Sequence, residues 1–99
     1  MARFDVHRNP HGPGYLLDVQ ADLMSLLNTR VVVPLLPPKE APQPANRLNP
    51  VFDVGDERVV MVTQFLAAVP RSELGASVTS LTAHHIAIVG AIDMLLSGY

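Results

Sequence analysis

Residues 51–63 read Val51-Phe52-Asp53-Val54-Gly55-Asp56-Glu57-Arg58-Val59-Val60-Met61-Val62-Thr63. Two runs rich in β-branched residues flank the short segment Gly55–Glu57. A glycine at the start of a tight reversal permits a positive φ, which a side chain would disfavour. The stretch therefore predicts a β-hairpin, with strands over Val51–Val54 and Arg58–Thr63.

Strands are also predicted on the N-terminal side of this hairpin. Phe4 and Val6 alternate with polar residues, which indicates a short half-buried strand. Residues 9–14 are dense in turn formers, and Tyr15–Val19 follows as a second strand antiparallel to the first. The three phenylalanines, Phe4, Phe52 and Phe65, lie in strand-like segments and are predicted to be in the core.

The β-branched, apolar run Arg30–Leu35 predicts a strand that is buried on both faces. Pro34 has no N–H for a ladder, so we expect it at an edge or a bulge. Prolines continue beyond it, and residues 34–50 hold six: Pro34, Pro37, Pro38, Pro42, Pro44 and Pro50. This density predicts an extended loop rather than a second domain, so residues 1–99 are expected to form a single domain. Val69–Gly75 is predicted to be a turn or a single helical turn.

The pattern changes to a helix near the C-terminus. Ser80 or Thr82 can cap the first turn, the helix runs over residues 83–96, and it stops near Gly98. Asp93 is the only Asp, Glu, Lys or Arg between residues 76 and 99. A surface helix normally carries a broad charged face, so we expect one side to meet the sheet and another to meet a second subunit or a partner. The fold class is therefore α+β, mostly β, with a small, strongly bent antiparallel sheet and one terminal helix.

Composition excludes several classes of protein. Seven Lys and Arg against nine Asp and Glu give a net charge of −2, which argues against a nucleic-acid binder. Cysteine is absent, which removes disulfides and thiolate catalysis. The N-terminus lacks the apolar run of a signal peptide, and the longest apolar stretch, Ile86–Leu96, is well short of the roughly 20 residues that cross a bilayer. We expect a cytoplasmic protein with no membrane contact.

The sequence offers little for catalysis, and we expect no enzyme activity, cofactor or metal. No serine lies in a Gly-x-Ser-x-Gly elbow. His84 and His85 are adjacent on a helix, so their side chains diverge. His7 and His11 could meet a metal, but we interpret them as solvated side chains at a strand end and in a loop. Asp18, Gln20 and Asp22 share one face of an extended segment and could hold a cation or act as acid and base, or form a polar sheet face or a charged edge.

Several segments together resemble one family, the CcdB toxins. The resemblance covers nearly the whole chain in the same order, and its most specific parts are Asp18-Val19-Gln20-Ala21-Asp22 and the Gly55–Glu57 hairpin. The matching segments, which include these two parts, are Tyr15–Leu23, Val32–Leu35, Leu48–Glu57, Ala68–Pro70, Leu74–Gly75 and Ala91–Asp93. The resemblance implies an SH3-like barrel with a long C-terminal helix and a homodimer with the helices near its two-fold axis.

The function that the resemblance implies is binding, not catalysis. Dimers of the family bind the A subunit of DNA gyrase and trap the complex in which the DNA is cleaved. A neighbouring antitoxin with a disordered tail neutralises the toxin. The two together repress their operon, so contact with DNA is only indirect.

The resemblance also implies two binding surfaces. The positions that would contact gyrase are Leu23, Met24, Asp93, Leu96, Ser97, Gly98 and Tyr99. The family has a tryptophan at the position of Ser97, and Tyr99 offers a ring two positions later. The loop that would contact the antitoxin contains Arg8, Asn9, Pro10 and His11, and it is shorter and less basic than is usual in the family.

Two alternatives stay open. One is a diverged homologue that dimerises and binds its antitoxin without poisoning gyrase, which Ser97 favours. The other is an endoribonuclease of similar barrel fold, which would need cations for phosphates and an acid/base set.

Overall fold

The computed structural model describes residues 2–98, which form a curled antiparallel sheet and one C-terminal helix. The strands are β1 (Asp5–Arg8), β2 (Tyr15–Asp18), β3 (Thr29–Leu36), β4 (Val51–Val54), β5 (Glu57–Met61), β6 (Ala67–Pro70) and β7 (Ser77–Ser80), and the helix is α1 (His85–Ser97). Single 3-10 turns cover Asp22–Met24, Pro38–Glu40, Thr63–Phe65, Arg71–Glu73 and Thr82–His84. The mostly-β fold with one terminal helix is as the sequence predicted.

The sheet is organised around β3, which changes partner along its length. The spatial order is β4-β5-β3-β2-β1-β7, and β6 also pairs with β3. Residues 29–32 pair with β6, whereas Leu35 and Leu36 pair with β5. This exchange of partners bends the sheet into a half-barrel.

Pro34 lies where β3 changes partner. It is opposite Leu16 in a central strand, so the prediction of an edge or bulge position was wrong. Its carbonyl accepts a hydrogen bond from the Val62 N–H at 3.0 Å. Because pairing with β6 ends at Val32 and pairing with β5 begins at Leu35, the missing N–H costs at most the return bond to Val62 at the end of the ladder.

The predicted hairpin is confirmed as β4 and β5, joined by Gly55 and Asp56. Val54 pairs with Glu57, and Gly55 has a φ of 61°. A positive φ at the first of two central residues is typical of a type II′ turn. The second strand is shorter than predicted, because a 3-10 turn begins at Thr63.

The predicted helix is confirmed, although its start is later than expected. The Ser80 hydroxyl accepts a hydrogen bond from the Thr82 N–H at 3.2 Å, but neither the 3-10 turn at Thr82–His84 nor α1 has a side-chain cap, so the predicted capping by Ser80 or Thr82 was wrong. Gly98 follows the last turn with a φ of 80°, and its N–H donates to the Met94 carbonyl at 3.0 Å. This is the left-handed cap that ends many helices.

The core lies between the curled sheet and α1. Ile88 and Ala91 are the two buried residues of α1. They join a cluster formed with Phe4, Val6, Tyr15, Leu17, Val19, Val33, Leu35, Phe52, Val54, Val59, Met61 and Leu81. One face of the helix therefore meets the sheet, as predicted. Phe65 is half exposed, so its predicted place in the core was wrong.

Two elements near β1 and β3 differ from the prediction. β6 extends through Pro70, so only Arg71–Glu73 of the segment predicted as a turn forms one. β7 has no predicted counterpart and pairs antiparallel with β1. All four of its residues are exposed, so it lacks the alternation by which strands are recognised.

Within residues 2–98, no helix combines the length and the apolar character that crossing a membrane requires.

Candidate functional site

The end of α1 exposes the residues that the resemblance assigned to gyrase binding. Asp93, Leu96, Ser97 and Gly98 are all exposed, and the Leu96 side chain is 69% accessible. Asp93, Leu96 and Ser97 share one helix face because residues three and four apart are neighbours. Tyr99, the last predicted member of this group, lies outside the described residues.

A second exposed apolar surface lies between β2 and β3. We call residues 21–28 the apolar loop. Leu23 is 88% exposed and Met24 is 47% exposed, so both predicted residues are accessible. Leu26 and Leu27 are 90% and 49% exposed, and the sequence analysis did not assign them. The sequence does contain a signal for them. Four large apolar residues fall within five positions, in a segment that belongs to no strand or long helix.

Asp18, Gln20 and Arg30 form a buried polar network beneath this loop. Arg30 Nε donates to Asp18 Oδ2 at 2.8 Å, and both side chains are fully buried. Asp18 Oδ1 accepts a hydrogen bond from the Gln20 N–H at 3.0 Å. Asp22 is exposed, and its Oδ1 accepts from the Arg3 N–H at 2.8 Å. The two carboxylates are thus bound to separate donors, so they do not form an acid/base pair or a solvated sheet face.

The end of β1 and the loop that follows it carry the residues that the resemblance assigned to the antitoxin. Arg8, Pro10 and His11 are exposed, and Asn9 is partly buried. The Asn9 side chain accepts a hydrogen bond from the His11 N–H at 3.0 Å. The His11 Nε2 atom is paired with Glu73, which ties this loop to the Arg71–Glu73 turn.

His7 does not have the solvated position that the sequence analysis assigned to it. It is 1% exposed, and its Nδ1 donates to the Gly75 carbonyl at 2.8 Å. His11 is engaged elsewhere with Glu73. Among residues 2–98, no group of three or more His, Cys, Asp or Glu side chains is placed to hold a metal ion.

Tyr15 and Glu57 connect β2 to the hairpin. The Tyr15 hydroxyl donates to Glu57 Oε1 at 3.0 Å. Burial of the phenol and the neighbouring Glu57 carboxylate raise the pKa of Tyr15 above its usual value. The Arg8 guanidinium lies over the Tyr15 ring at 5.7 Å. The phenol therefore lies beside one cation and one carboxylate.

The N-terminal half of α1 exposes an apolar surface away from the sheet. Ile86 is 78% exposed, and with Ala87 and Gly90 it lines a groove between α1 and the proline-rich loop. Pro44, Ala45 and Pro50 are on the opposite wall of the groove. The sequence analysis expected a subunit or a partner on this side of the helix.

The model of the CcdB protein family matches residues 3–98, which include both exposed apolar surfaces and the hairpin. The chain belongs to the CcdB family. Membership indicates a toxin of a toxin–antitoxin system.

A solved structure has a similar fold at low sequence identity. It is described as an endoribonuclease in complex with its cognate antitoxin from a mycobacterial species. The identity is 16%, the match covers 97% of this chain and 94% of that chain, and the TM-score is 0.78. At this identity, the similarity shows that the two chains share a fold.

Proposed function

We propose that this protein is a homodimeric toxin that binds the A subunit of DNA gyrase and traps the complex with cleaved DNA, without catalysing a reaction itself. The observation that carries the proposal is the exposure of apolar side chains at both places that the family resemblance assigns to gyrase. Leu23 and Leu96 are 88% and 69% exposed. Large apolar side chains held in water favour association with a partner.

The dimer in this proposal is formed by the exposed face of α1. Ile86, Ala87 and Gly90 offer an apolar surface, and Gly90 has no heavy atom within 4 Å of the position that a Cβ would occupy. Small residues beside an exposed isoleucine allow two helices to approach closely. A two-fold axis would use the same face of both subunits.

The cognate antitoxin is the second partner that we propose. The β1–β2 loop, with Arg8, Asn9, Pro10 and His11, is an exposed surface for its disordered tail. The similar structure described with a cognate antitoxin supports a partner of this kind. Toxin and antitoxin together would act in the cytoplasm and contact operator DNA through the antitoxin.

Ser97 favours the second candidate, a homologue that keeps its antitoxin but no longer poisons gyrase. An aromatic anchor at an interface typically contributes about 2–4 kcal/mol, so a serine at that position would weaken binding roughly 30-fold to 1,000-fold. In our proposal Leu96 and the apolar loop supply the contact instead.

RNA cleavage, left open by the sequence, is the third candidate, and the similar solved structure is named an endoribonuclease. The described residues that fit it best are Arg8, Tyr15 and Glu57, which place a cation, a phenol and a carboxylate together. Asp56 adds a second carboxylate to the same concave surface. Two carboxylates beside one cation would repel a phosphate, so we place this candidate last.

The test is a gyrase cleavage assay. Purified protein is incubated with the gyrase of its host, supercoiled DNA and ATP, and trapped double-strand breaks are counted. We expect breaks with the wild type, and far fewer with Leu96→Ser or with a variant that lacks residues 97–99. Circular dichroism checks that each variant is folded.

The absence of breaks from a folded dimer that still binds its antitoxin would refute the gyrase proposal in favour of the diverged homologue. Cleavage of a bare RNA without metal, abolished by Glu57→Gln, would establish the enzyme instead.

A further inference from the structure

The apolar loop is held by side chains that lie outside it. Gln20 Nε2 donates to the Met24 carbonyl at 2.9 Å, and Gln20 Oε1 accepts from the Val31 N–H at 3.0 Å. One amide thus connects the tip of the loop to β3. Gln20 is only 8% exposed, so water competes weakly for these bonds.

A second link comes from the other side of the loop. Arg71 Nη1 donates to the Ser25 carbonyl at 3.0 Å, and the Arg71 N–H donates to the Asn28 carbonyl at 2.7 Å. The consecutive carbonyls of Met24 and Ser25 are therefore bound by two side chains that arrive from different elements. Carbonyls fixed from both sides define the path of the backbone between them.

Gln20 is itself fixed by the buried network. Its N–H donates to Asp18 Oδ1, and the other oxygen of Asp18 accepts from Arg30. A buried ion pair is rarely more stabilising than apolar residues of the same size. A role in fixing the position of a neighbouring group gives it a reason to be present.

Exposed leucines on a flexible loop would be poor binding groups. Ordering a loop when a partner binds costs conformational entropy, and that cost weakens affinity. Here the four apolar side chains at Leu23, Met24, Leu26 and Leu27 lie on a backbone whose carbonyls are hydrogen-bonded from outside the loop.

We propose that Gln20 is a positioning residue that holds the apolar loop in its binding conformation, with Arg71 as a second tether. This inference rests on the proposed function, because the partner whose affinity it affects is the gyrase A subunit. Gln20 acts through the Met24 carbonyl and does not itself touch the partner.

The first experiment measures amide hydrogen exchange in the free dimer. In Gln20→Met we expect the amides of Met24, Ser25 and Leu27 to exchange at least about tenfold faster, because the turns that they close lose their anchor. Arg71→Met tests the same proposal from an exposed position, so it stays informative if the buried variant does not fold. Arg58→Met, an exposed cation on β5, is the matched control and should leave these amides unchanged.

The second experiment measures affinity for the gyrase A subunit. We expect Gln20→Met and Arg71→Met to bind about tenfold more weakly. In a background with Leu23→Ser and Leu26→Ser the same substitutions should have little further effect, because the loop then carries little of the contact. A general loss of structure would not give this non-additivity.

Unchanged exchange at all three amides, or losses of affinity that add fully in the Leu23→Ser and Leu26→Ser background, would overturn the proposal. If the wild type does not bind the A subunit, the proposed function fails. The exchange data on the free protein then decide separately whether Gln20 orders the loop.

Discussion

Arg30 and Asp18 form an ion pair from which water is fully excluded, with Arg30 Nε donating to Asp18 Oδ2 at 2.8 Å. Arg30 is the first buried residue of β3, and Asp18 is the last residue of β2, so the pair joins these two strands. Its two charges satisfy each other in an interior where either one alone would be very unfavourable.

Removing the cation should therefore be more harmful than removing both partners. We expect Arg30→Met to lower the free energy of unfolding by about 3–5 kcal/mol, because it leaves a buried carboxylate unpaired. Asp18→Asn combined with Arg30→Met should be clearly less destabilising. Urea denaturation followed by circular dichroism measures both. Equal losses in the single and the double variant would show that the charge of Asp18 is not the cause.

The exposed isoleucine of α1 gives a test of the dimer. We expect Ile86→Glu to shift the protein from dimer to monomer, because it places a charge in the apolar surface that Ile86 forms with Ala87 and Gly90. Sedimentation velocity measures the change. Leu23→Glu is the matched control, since Leu23 is 88% exposed and lies in the apolar loop. A dimeric Ile86→Glu protein would exclude this face as the interface.

Leu26 gives a test of the proposed gyrase contact at a residue that the family resemblance did not assign. We expect Leu26→Ser to weaken binding to the gyrase A subunit by roughly tenfold to a hundredfold, because a large apolar side chain is lost from the contact. The free energy of unfolding should change by less than about 0.5 kcal/mol, since Leu26 is 90% exposed. Val51→Ser, an exposed valine on β4, is the control and should bind as the wild type does. Unaltered affinity in Leu26→Ser would limit the contact to Leu23 and Met24.

Tyr15 gives a prediction for alkaline pH. Burial, and then the neighbouring Glu57, raise its pKa in the folded state above the value of an unfolded chain. The unfolded protein therefore loses the phenolic proton first, and the stability present below about pH 10 is lost as the pH rises through the folded pKa. Tyr15→Phe should remove this part of the alkaline decline, which thermal unfolding between neutral and alkaline pH measures. Glu57→Gln keeps an acceptor and should reduce the decline only in part. An alkaline decline in Tyr15→Phe as steep as in the wild type would contradict the assignment.

The elements that the sequence predicts well are those with a local signal. The hairpin at Gly55 follows from one glycine between two β-branched runs, and the helix from the change to apolar residues with almost no charge after Ser80. Both are present in the structure. β7 was missed because both of its faces are exposed, so no alternation of polarity marks it.

The candidate site could be predicted only in part, because the side chains that hold it in place come from residues that are distant from it in the sequence. Leu23 and Met24 come from the family resemblance, and both are exposed. The burial of His7 and the pairing of Asp18 with Arg30 depend on how strands pair, which residue types alone do not reveal. Arg71, 46 residues from Ser25 along the chain, reaches the apolar loop only because β6 lies beside β3.

Pro34 also restricts which alignments of β3 are possible. A slip by one residue would exchange its two faces, so that Val33 and Leu35 would leave the main core and Val32 would enter it. A slip by two residues would leave each side chain on its present face of the sheet. It would, however, move Pro34 to the position where Val32 now pairs with β6 or Leu36 now pairs with β5, and one hydrogen bond between the strands would be lost because proline has no N–H. Pro34 thereby favours the native register of β3 over the register that is shifted by two residues. Three neighbouring strands pair with β3, so their positions depend on this register.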